Sequence, residues 1–374
     1  MLVSVVLIVV CCLIIWKASD GFETASEYLG RNLSDGVRGA TVNAVGSSMP
    51  ELFTTLFFLF VLKDKDGFSA GIGTTVGSAV FNGMIIPSTV ILVVVFKKLA
   101  SYVEVSKKVI LRDGISLLVC ELILIFIVSK DSLNWTHGLL LIIIYALYAI
   151  YMVVSMTTSK KKDDINRLEK QTEFKYCKKG IFINILTLNL KHVFIKEKIN
   201  TRNACALLIT SMLIIGSACL LLVKSCEWLG DALQVPVYFI AVVLASAATS
   251  VPDTILSVKD AKKGNYDDAV SNALGSNIFD LCFALGFPLF IFTLVHGSID
   301  ITANKSDLLE LSILLFLLSF LAFCVYLFKR KMNKMSAVFL VLIYVLFTVY
   351  ILGKSANSEI VEQISLSIKK ITIY

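Results

Sequence analysis

Charged residues and histidines are scarce in this chain of 374 residues. Only 17% of the residues are Asp, Glu, Lys or Arg, three are His, and 57% are hydrophobic. The mean hydropathy of +0.81 lies well above that of a soluble protein. About ten membrane spans of roughly 20–25 residues account for this composition, whereas a soluble protein would need two domains with very large cores. The scarcity of charge therefore predicts an integral membrane protein.

The nine cysteines and three histidines lack the spacing of a metal site. Cys11 and Cys12 are adjacent, and most other cysteines lie inside apolar runs, where Cys behaves as a small hydrophobic residue. His137, His192 and His296 lie in loops or at span ends. No disulfide framework, zinc or copper site, or nucleophile–base pair is indicated, and we expect neither an enzyme nor a cofactor.

Hydrophobic segments divide the chain into ten predicted transmembrane helices, five before and five after a polar stretch. Two five-helix halves joined end to end must enter the bilayer from opposite sides, which is the inverted-repeat plan of many transporters. We therefore predict a first repeat at 1–157, a cytoplasmic basic loop at 158–202, a second repeat at 203–352 and a tail at 353–374. The predicted spans are 2–29, 36–62, 67–96, 108–129, 134–157, 203–229, 235–259, 268–295, 306–328 and 335–352.

The polar stretch and the loops indicate the orientation. Lys160, Lys161 and Lys162 open a basic loop with a predicted short surface helix around Ile181–Phe194. With the N-terminus outside, the inner segments hold 26 of the 35 Lys and Arg and the outer segments hold 8. Because basic residues concentrate in cytoplasmic loops, we expect a multi-pass protein of the plasma or inner membrane with its N-terminus outside. The net charge of +7 then reflects topology and requires no nucleic-acid partner.

Two related motifs interrupt the apolar helices, one in each half. The first half carries Ala44-Val45-Gly46-Ser47-Ser48-Met49-Pro50-Glu51, and the second carries Ser246-Ala247-Ala248-Thr249-Ser250-Val251-Pro252-Asp253. The following spans match as well, with Gly77-Ser78-Ala79-Val80-Phe81-Asn82 against Gly275-Ser276-Asn277-Ile278-Phe279-Asp280. Paired motifs in the same order, within 40–90 and 240–290, indicate an internal repeat.

Each motif combines a helix break with oxygen-bearing side chains. Pro50 and Pro252 remove a backbone donor and break the helix, so carbonyls near Ala44 and Ser246 are expected to become free. Hydroxyls and carboxylates or amides recur four residues apart, on one helix face. These pairs are Ser47 with Glu51, Thr249 with Asp253, Ser78 with Asn82, and Ser276 with Asp280.

An all-oxygen site suits a hard cation such as Ca²⁺, which takes about six to eight oxygen ligands. Three carboxylates at membrane depth would cost roughly 8–10 kcal/mol without a counter-ion. Ca²⁺, several Na⁺ ions or protons could each offset that cost, and competition for the same carboxylates is a natural exchange mechanism. Sodium-driven antiport is the leading hypothesis, because the hydroxyl-rich ligand set suits Na⁺; proton-driven antiport is the alternative, and a channel is less favoured. We expect inorganic cations and the lipid bilayer as partners, with no obligate protein partner evident.

These motifs resemble the alpha repeats of the sodium/calcium exchanger superfamily. The likeness is dense over 18–90 and 236–290, and it implies that spans one and six slide against a rigid core. The resemblance implies Ca²⁺ ligation by Glu51, Asp253, Asn82 and Asp280. It also implies that Na⁺ sites are completed by Ala44, Ser47, Ser48, Ser78, Ser246, Thr249, Ser250 and Ser276.

Two residues depart from the family pattern. Asp253 is one methylene shorter than Glu51, which resembles the potassium-dependent exchangers and leaves K⁺ co-transport open. Ala248 stands where the family usually has Gly, as at Gly46 in the first repeat. Glu121, in the fourth span, has no partner in the other repeat and is expected to face a neighbouring helix.

Overall fold

The computed structural model describes residues 1–31, 44–62, 64–156, 181–195, 198–329 and 331–371, and these are almost entirely helical. The first half contains α1 (Leu2–Leu29), α2 (Ala44–Ser47), α3 (Met49–Phe57), α4 (Asp64–Phe96), α5 (Lys107–Val128) and α6 (Trp135–Met156). The short helices α7 (Ile181–Leu186) and α8 (Leu190–Phe194) precede the second half.

The second half repeats this order. It contains α9 (Thr201–Leu233), α10 (Val237–Ile240), α11 (Ser246–Thr249), α12 (Val251–Lys262), α13 (Tyr266–Phe279), α14 (Leu285–His296), α15 (Lys305–Phe328) and α16 (Lys334–Ser355), followed by α17 (Glu359–Ile371). Three π-helical segments continue neighbouring helices, at Phe58–Leu62, Ala241–Ala245 and Asp280–Ala284.

Eight helical segments in the described part of the chain are long and apolar enough to cross a membrane. They correspond to all of the predicted spans except the second and the fourth. The second span is the shorter apolar helix Met49–Leu62, and the fourth is α5, which carries Arg112, Asp113 and Glu121. The all-α membrane class is confirmed, and the count of ten stays a prediction.

Parts of the predicted organisation lie outside the described residues. These are the start of the second span (36–43) and most of the basic loop (158–180 and 196–197), including Lys160, Lys161 and Lys162. In the described part of that loop, α7 and α8 occupy the stretch in which a surface helix is predicted. A break at Thr187–Asn189 separates them, so the predicted single helix is two short ones.

Two short antiparallel ladders join loops of opposite halves. β1 (Val103–Glu104) pairs with β4 (Lys331–Met332), and β2 (Ser132–Leu133) pairs with β3 (Ile299–Asp300). β1 and β3 occupy equivalent loops of the two halves, and so do β2 and β4. Exchanging the halves therefore converts one ladder into the other, as a pseudo-two-fold axis requires.

Helix packing follows the same exchange. α1 packs along α9, α4 packs on α16, and α13 and α14 pack around α6. Phe81 stacks edge-on against Tyr344 at 5.5 Å between ring centroids, and its counterpart Phe279 does the same with Tyr145 at 5.2 Å. α3, α4, α12 and α13 meet in the middle of the bundle.

Candidate functional site

The two motif helices are interrupted at equivalent serines. Ser48 separates α2 from α3 with φ −93° and ψ 10°. Ser250 separates α11 from α12 with φ −80° and ψ −1°. Pro50 and Pro252 follow two residues later as the second residue of α3 and of α12, where a missing amide donor costs least. The interruptions thus begin two residues before the prolines, and Glu51 and Asp253 lie in the first turn of the helices that follow.

The expected free carbonyl at Ser246 is wrong for this conformation. The Ser246 carbonyl accepts a hydrogen bond from the Ser250 amide at 3.1 Å and another from Thr249 Oγ1 at 3.1 Å. A proline removes the donor for the carbonyl four residues earlier, so the affected carbonyls are those of Gly46 and Ala248. Ala44 opens α2, and its side chain lies outside the described atoms.

Three carboxylates meet at the centre of the bundle. Glu51, Asp253 and Asp280 each offer one oxygen, and these oxygens lie within 4.8 Å of one another. All three side chains are fully buried, with 0% exposure. Two of the helices that carry them belong to the second half and one to the first, so the inverted repeat brings residues more than 200 positions apart to one point.

The hydroxyl of Ser78 lies among these carboxylates. Its oxygen is 3.3 Å from Glu51 Oε1, 3.2 Å from Asp280 Oδ2 and 2.7 Å from the hydroxyl oxygen of Ser250. A serine has a single proton to donate, so it satisfies only one of these acceptors at a time. Oxygen acceptors therefore outnumber donors here.

The equivalent residues hold Asp253. Ser276 Oγ donates to Asp253 Oδ1 at 2.8 Å, and Asn82 Nδ2 donates to Asp253 Oδ2 at 3.3 Å. Asn82 Nδ2 also lies 3.5 Å from Ser78 Oγ. The Ser276–Asp253 contact repeats the Ser78–Glu51 contact of the first half, whereas the Asn82–Asp253 contact crosses between the halves.

Several buried oxygens at this centre have no hydrogen-bond partner among the described residues. They are Glu51 Oε2, Asp280 Oδ1 and Asn82 Oδ1. Leaving such groups unpaired in a protein interior is costly, and most buried polar atoms are paired. Two of these unpaired oxygens belong to the carboxylates themselves, and the acidic cluster contains no nitrogen or sulfur ligand, so its donor set suits a hard cation.

The remaining predicted hydroxyls differ in their position. Ser47 interacts with Asp253, and Thr249 interacts with Glu51, so both lie beside the carboxylates. Ser246 is also fully buried, but its hydroxyl donates to the carbonyl of Val242 at 2.5 Å, within its own helix. Among the described side chains, the structure brings together every predicted one except that of Ser246, which is turned to its own helix.

Gly77 allows the two repeat helices to approach closely. A Cβ at this position would collide with the carbonyl oxygen of Val242 and lie 2.8 Å from Ser246 Oγ. At Gly275, the equivalent position, a Cβ would meet only the Tyr148 hydroxyl at 3.8 Å. Close helix packing therefore requires glycine at position 77 and does not require it at position 275.

Two polar residues near the site went unnoticed in the sequence. Asn277 Nδ2 donates to the carbonyl of Ala79 at 2.9 Å, and Ala79 is its own counterpart in the first repeat. Thr54 is fully buried one turn after Glu51, and its hydroxyl has no partner among the described residues. The signal was a polar residue whose counterpart in the other repeat is apolar, Ala79 for Asn277 and Leu256 for Thr54.

Glu121 is a fully buried carboxylate outside this cluster, in α5. It interacts with Ser319 of α15, the helix that packs along α5. The expectation that it faces a neighbouring helix is confirmed.

Comparison with known proteins gives one family. The family described as "Sodium/calcium exchanger protein" matches residues 3–154 and 203–353, which is more than half of the chain. The sodium/potassium/calcium exchanger 5 of Homo sapiens is 26% identical over 413 residues, covering 90% of this chain and 80% of that protein. The sodium/potassium/calcium exchanger 1 of Gallus gallus is 33% identical over 140 residues, which cover 37% of this chain and 21% of the relative.

Solved structures share the fold. The H⁺/Ca²⁺ exchanger CAX aligns with a TM-score of 0.68 at 15% identity, covering 99% of this chain and 92% of that one. The sodium-calcium exchanger NCX_Mj aligns with a TM-score of 0.54 at 21% identity, covering 92% and 97%. At these identities the likeness establishes the architecture alone.

Proposed function

This chain belongs to the sodium/calcium exchanger protein family, and we propose that it exchanges Na⁺ for Ca²⁺ across the membrane by alternating access. The observation that carries the proposal is the cluster of Glu51, Asp253 and Asp280, buried and within 4.8 Å of one another. Three like charges at this distance repel one another strongly unless a cation or protons neutralise them. A divalent cation supplies two positive charges at once and prefers the oxygen ligands present.

For Ca²⁺ we propose Glu51 and Asp253 as the central ligands, with Asn82 and Asp280 beside them. The unpaired oxygens of Glu51, Asp280 and Asn82 support this assignment. For Na⁺ we propose the surrounding hydroxyls, because a monovalent cation needs less carboxylate charge. They are Ser47, Ser48, Ser78, Thr249, Ser250 and Ser276, all of which are buried. The carbonyl of Ala44 completes the proposed set, whereas the Ser246 carbonyl is already hydrogen-bonded within its own helix.

We propose that Ca²⁺ and Na⁺ are exchanged because they share ligands. Ca²⁺ and Na⁺ draw on the same carboxylates, so the site cannot hold both loads at once, and each ion displaces the other. The helix breaks at Ser48 and Ser250 support access of ions to the site from either side of the membrane. Each break interrupts a helix next to one of the carboxylates. Sliding of α1 and α9 against the remaining helices would expose the site alternately.

We also propose K⁺ co-transport. The relatives from Homo sapiens and Gallus gallus are both sodium/potassium/calcium exchangers. Asp253 is one methylene shorter than its counterpart Glu51, which leaves more room beside the carboxylates for a larger monovalent ion. Proton-coupled exchange is the alternative, because protons could neutralise the same carboxylates.

The proposed setting is a cell membrane, with the N-terminus outside and the Lys- and Arg-rich loops in the cytoplasm. The two repeats would span 1–157 and 203–352, joined by the cytoplasmic loop at 158–202 and followed by the tail at 353–374. The exchange of the two β-ladders between the halves supports this division.

The test is calcium uptake into vesicles that contain the purified protein, under imposed Na⁺, K⁺ or H⁺ gradients. We expect uptake driven by an outward Na⁺ gradient and increased by K⁺ on the same side as Ca²⁺. Uptake driven by a proton gradient alone, without Na⁺, would replace this proposal with the proton-coupled alternative. Glu104→Gln, at an exposed strand position, serves as a control for added or removed charge.

A further inference from the structure

A narrow cavity lies between α1 and α12, next to the candidate site. Its volume of about 20 Å³ has room for a single water molecule. Ser47 and Pro252, from the two helix breaks, line the cavity together with Asp20, Glu23 and Lys259. Lys259 follows Pro252 by seven residues, which is about 10 Å along a helix. The cavity therefore runs from the site toward the ends of α1 and α12.

An ion-pair network closes the far end of this cavity. Lys259 Nζ lies 2.8 Å from Asp20 Oδ1 and 3.0 Å from Glu23 Oε2. Asp20 and Glu23 are three residues apart on α1, so they lie on one helix face. The second oxygen of Asp20 lies 2.9 Å from Lys191 Nζ of α8, which belongs to the basic loop. Asp20 thus links α1, which is expected to slide, to α12 through Lys259 and to the basic loop through Lys191.

We propose that Lys259 is the gate residue of the ion path on the side where α1 ends, and that its ion pairs with Asp20 and Glu23 keep this path closed. The proposal rests on the proposed transport function, since it concerns access to the same site. The ammonium group occupies the mouth and repels an arriving cation. It also ties α1 to α12, the two helices that must separate for the cavity to widen.

The exposure of the network suits a gate. The side chains of Lys259, Asp20 and Glu23 are 35%, 38% and 20% exposed. Ion pairs that water reaches to this extent contribute little, so they break and re-form readily. Once Lys259 moves away, Glu23 and the oxygen of Asp20 that does not contact Lys191 would attract a cation from this side. Lys191 gives the basic loop a direct contact with the gate.

The test measures how fast a cysteine inside the gate reacts. Ile255, one turn closer to the site than Lys259, lines the cavity and is partly buried. Ile255→Cys protein in vesicles would be treated, from the side where α1 ends, with membrane-impermeant thiol reagents of positive and of negative charge. Mass spectrometry of the peptide that contains residue 255 separates this thiol from the native cysteines. We expect slow labelling with Lys259 present and roughly fivefold faster labelling with Lys259→Ala.

Control variants and reagents distinguish opening of the gate from the change in local charge that removal of Lys259 causes. Lys259→Ala should speed labelling by reagents of both signs, whereas a purely electrostatic effect would slow the negative one. Lys262→Ala, on the exposed side of the same helix, should leave the rate unchanged, and Lys259→Arg should keep it slow. The double variant Asp20→Asn with Glu23→Gln removes the same ion pairs from the α1 side and should also speed labelling. It replaces Lys259→Ala in the test if that variant does not fold.

Equal labelling rates with and without the ion pairs would overturn the gate. Calcium uptake by the same vesicles under a Na⁺ gradient tests the proposed function separately, because labelling requires no transport. Faster labelling without any Na⁺-driven uptake would keep the gate and refute the choice of ions.

Discussion

Ser78 and Ser250 lie on helices of opposite repeats, and their hydroxyl oxygens are 2.7 Å apart. Ser250 is the residue at which the second motif helix breaks. Ser78 simultaneously approaches Glu51 and Asp280. A single hydroxyl pair therefore connects the helix break of one repeat with the acidic cluster that both repeats build.

These contacts predict that loss of the Ser78 hydroxyl affects Ca²⁺ uptake more than loss of the hydroxyl of its counterpart, Ser276. We expect Ser78→Ala to raise the half-saturating Ca²⁺ concentration of vesicle uptake by roughly tenfold or more, because hydrogen bonds to charged groups contribute about 1.5–3 kcal/mol. Ser276→Ala removes a contact with Asp253 alone and should have a smaller effect. An equal effect of the two substitutions would contradict the proposed position of Ser78 between the carboxylates.

The carboxylates are expected to oppose one another without a cation. Glu51→Gln and Asp253→Asn should each abolish Ca²⁺ uptake and, in Ca²⁺-free detergent solution, raise the melting temperature by relieving repulsion. Added Ca²⁺ should stabilise the wild-type protein and fail to stabilise either variant, since a ligand stabilises only the state it binds. Uptake like that of wild type in either variant would refute the site assignment.

Potassium dependence is expected to follow the length of the side chain at position 253. Asp253→Glu copies the first repeat, and its extra methylene fills space beside the carboxylates. We expect this variant to keep Na⁺-driven Ca²⁺ uptake and to lose most of the stimulation by K⁺. The measurement is uptake with K⁺ replaced by choline. Unchanged stimulation in the variant would show that Asp253 does not determine the K⁺ requirement.

Gly77 and Gly275 give a matched pair for helix packing. Gly77→Ala would press a methyl group against the Val242 carbonyl and the Ser246 side chain, and we expect a loss of roughly 1–3 kcal/mol of stability. Gly275→Ala meets only the Tyr148 hydroxyl at 3.8 Å and should be nearly neutral. Melting of both variants in detergent micelles compares them directly; a larger loss for Gly275→Ala would be inconsistent with the packing described.

The site could be predicted from the sequence because the motif around Glu51 recurs around Asp253. Hydrophobic length predicts the helices, and the spacing of Ser78 and Asn82 assigns them to one helix face. The inverted repeat then predicts that Glu51 and Asp253 converge. These inferences need only local periodicity and one symmetry, and the structure agrees with them.

The sequence does not predict which side chains meet across the bundle. Helix periodicity indicates which face a residue lies on, but it does not indicate which atom of another helix lies opposite. The bond from Asn277 to Ala79 and the pairing of Lys259 with Asp20 are of this kind. The Ser246 carbonyl differs from the expectation for a local reason. The backbone at Ser250 stays close enough to helical for its amide to reach back to Ser246, so the break frees a different carbonyl.

The two β-ladders determine where motion is least costly. β1–β4 and β2–β3 join loops that flank α4, α5, α6 and their counterparts, so backbone hydrogen bonds fasten these helices at both ends of the bundle. Neither ladder includes a strand next to α1 or α9, which are held to the rest by side-chain contacts. If this pair slides as proposed, no ladder hydrogen bond has to break, and the energetic cost would fall on the side-chain contacts of α1 and α9.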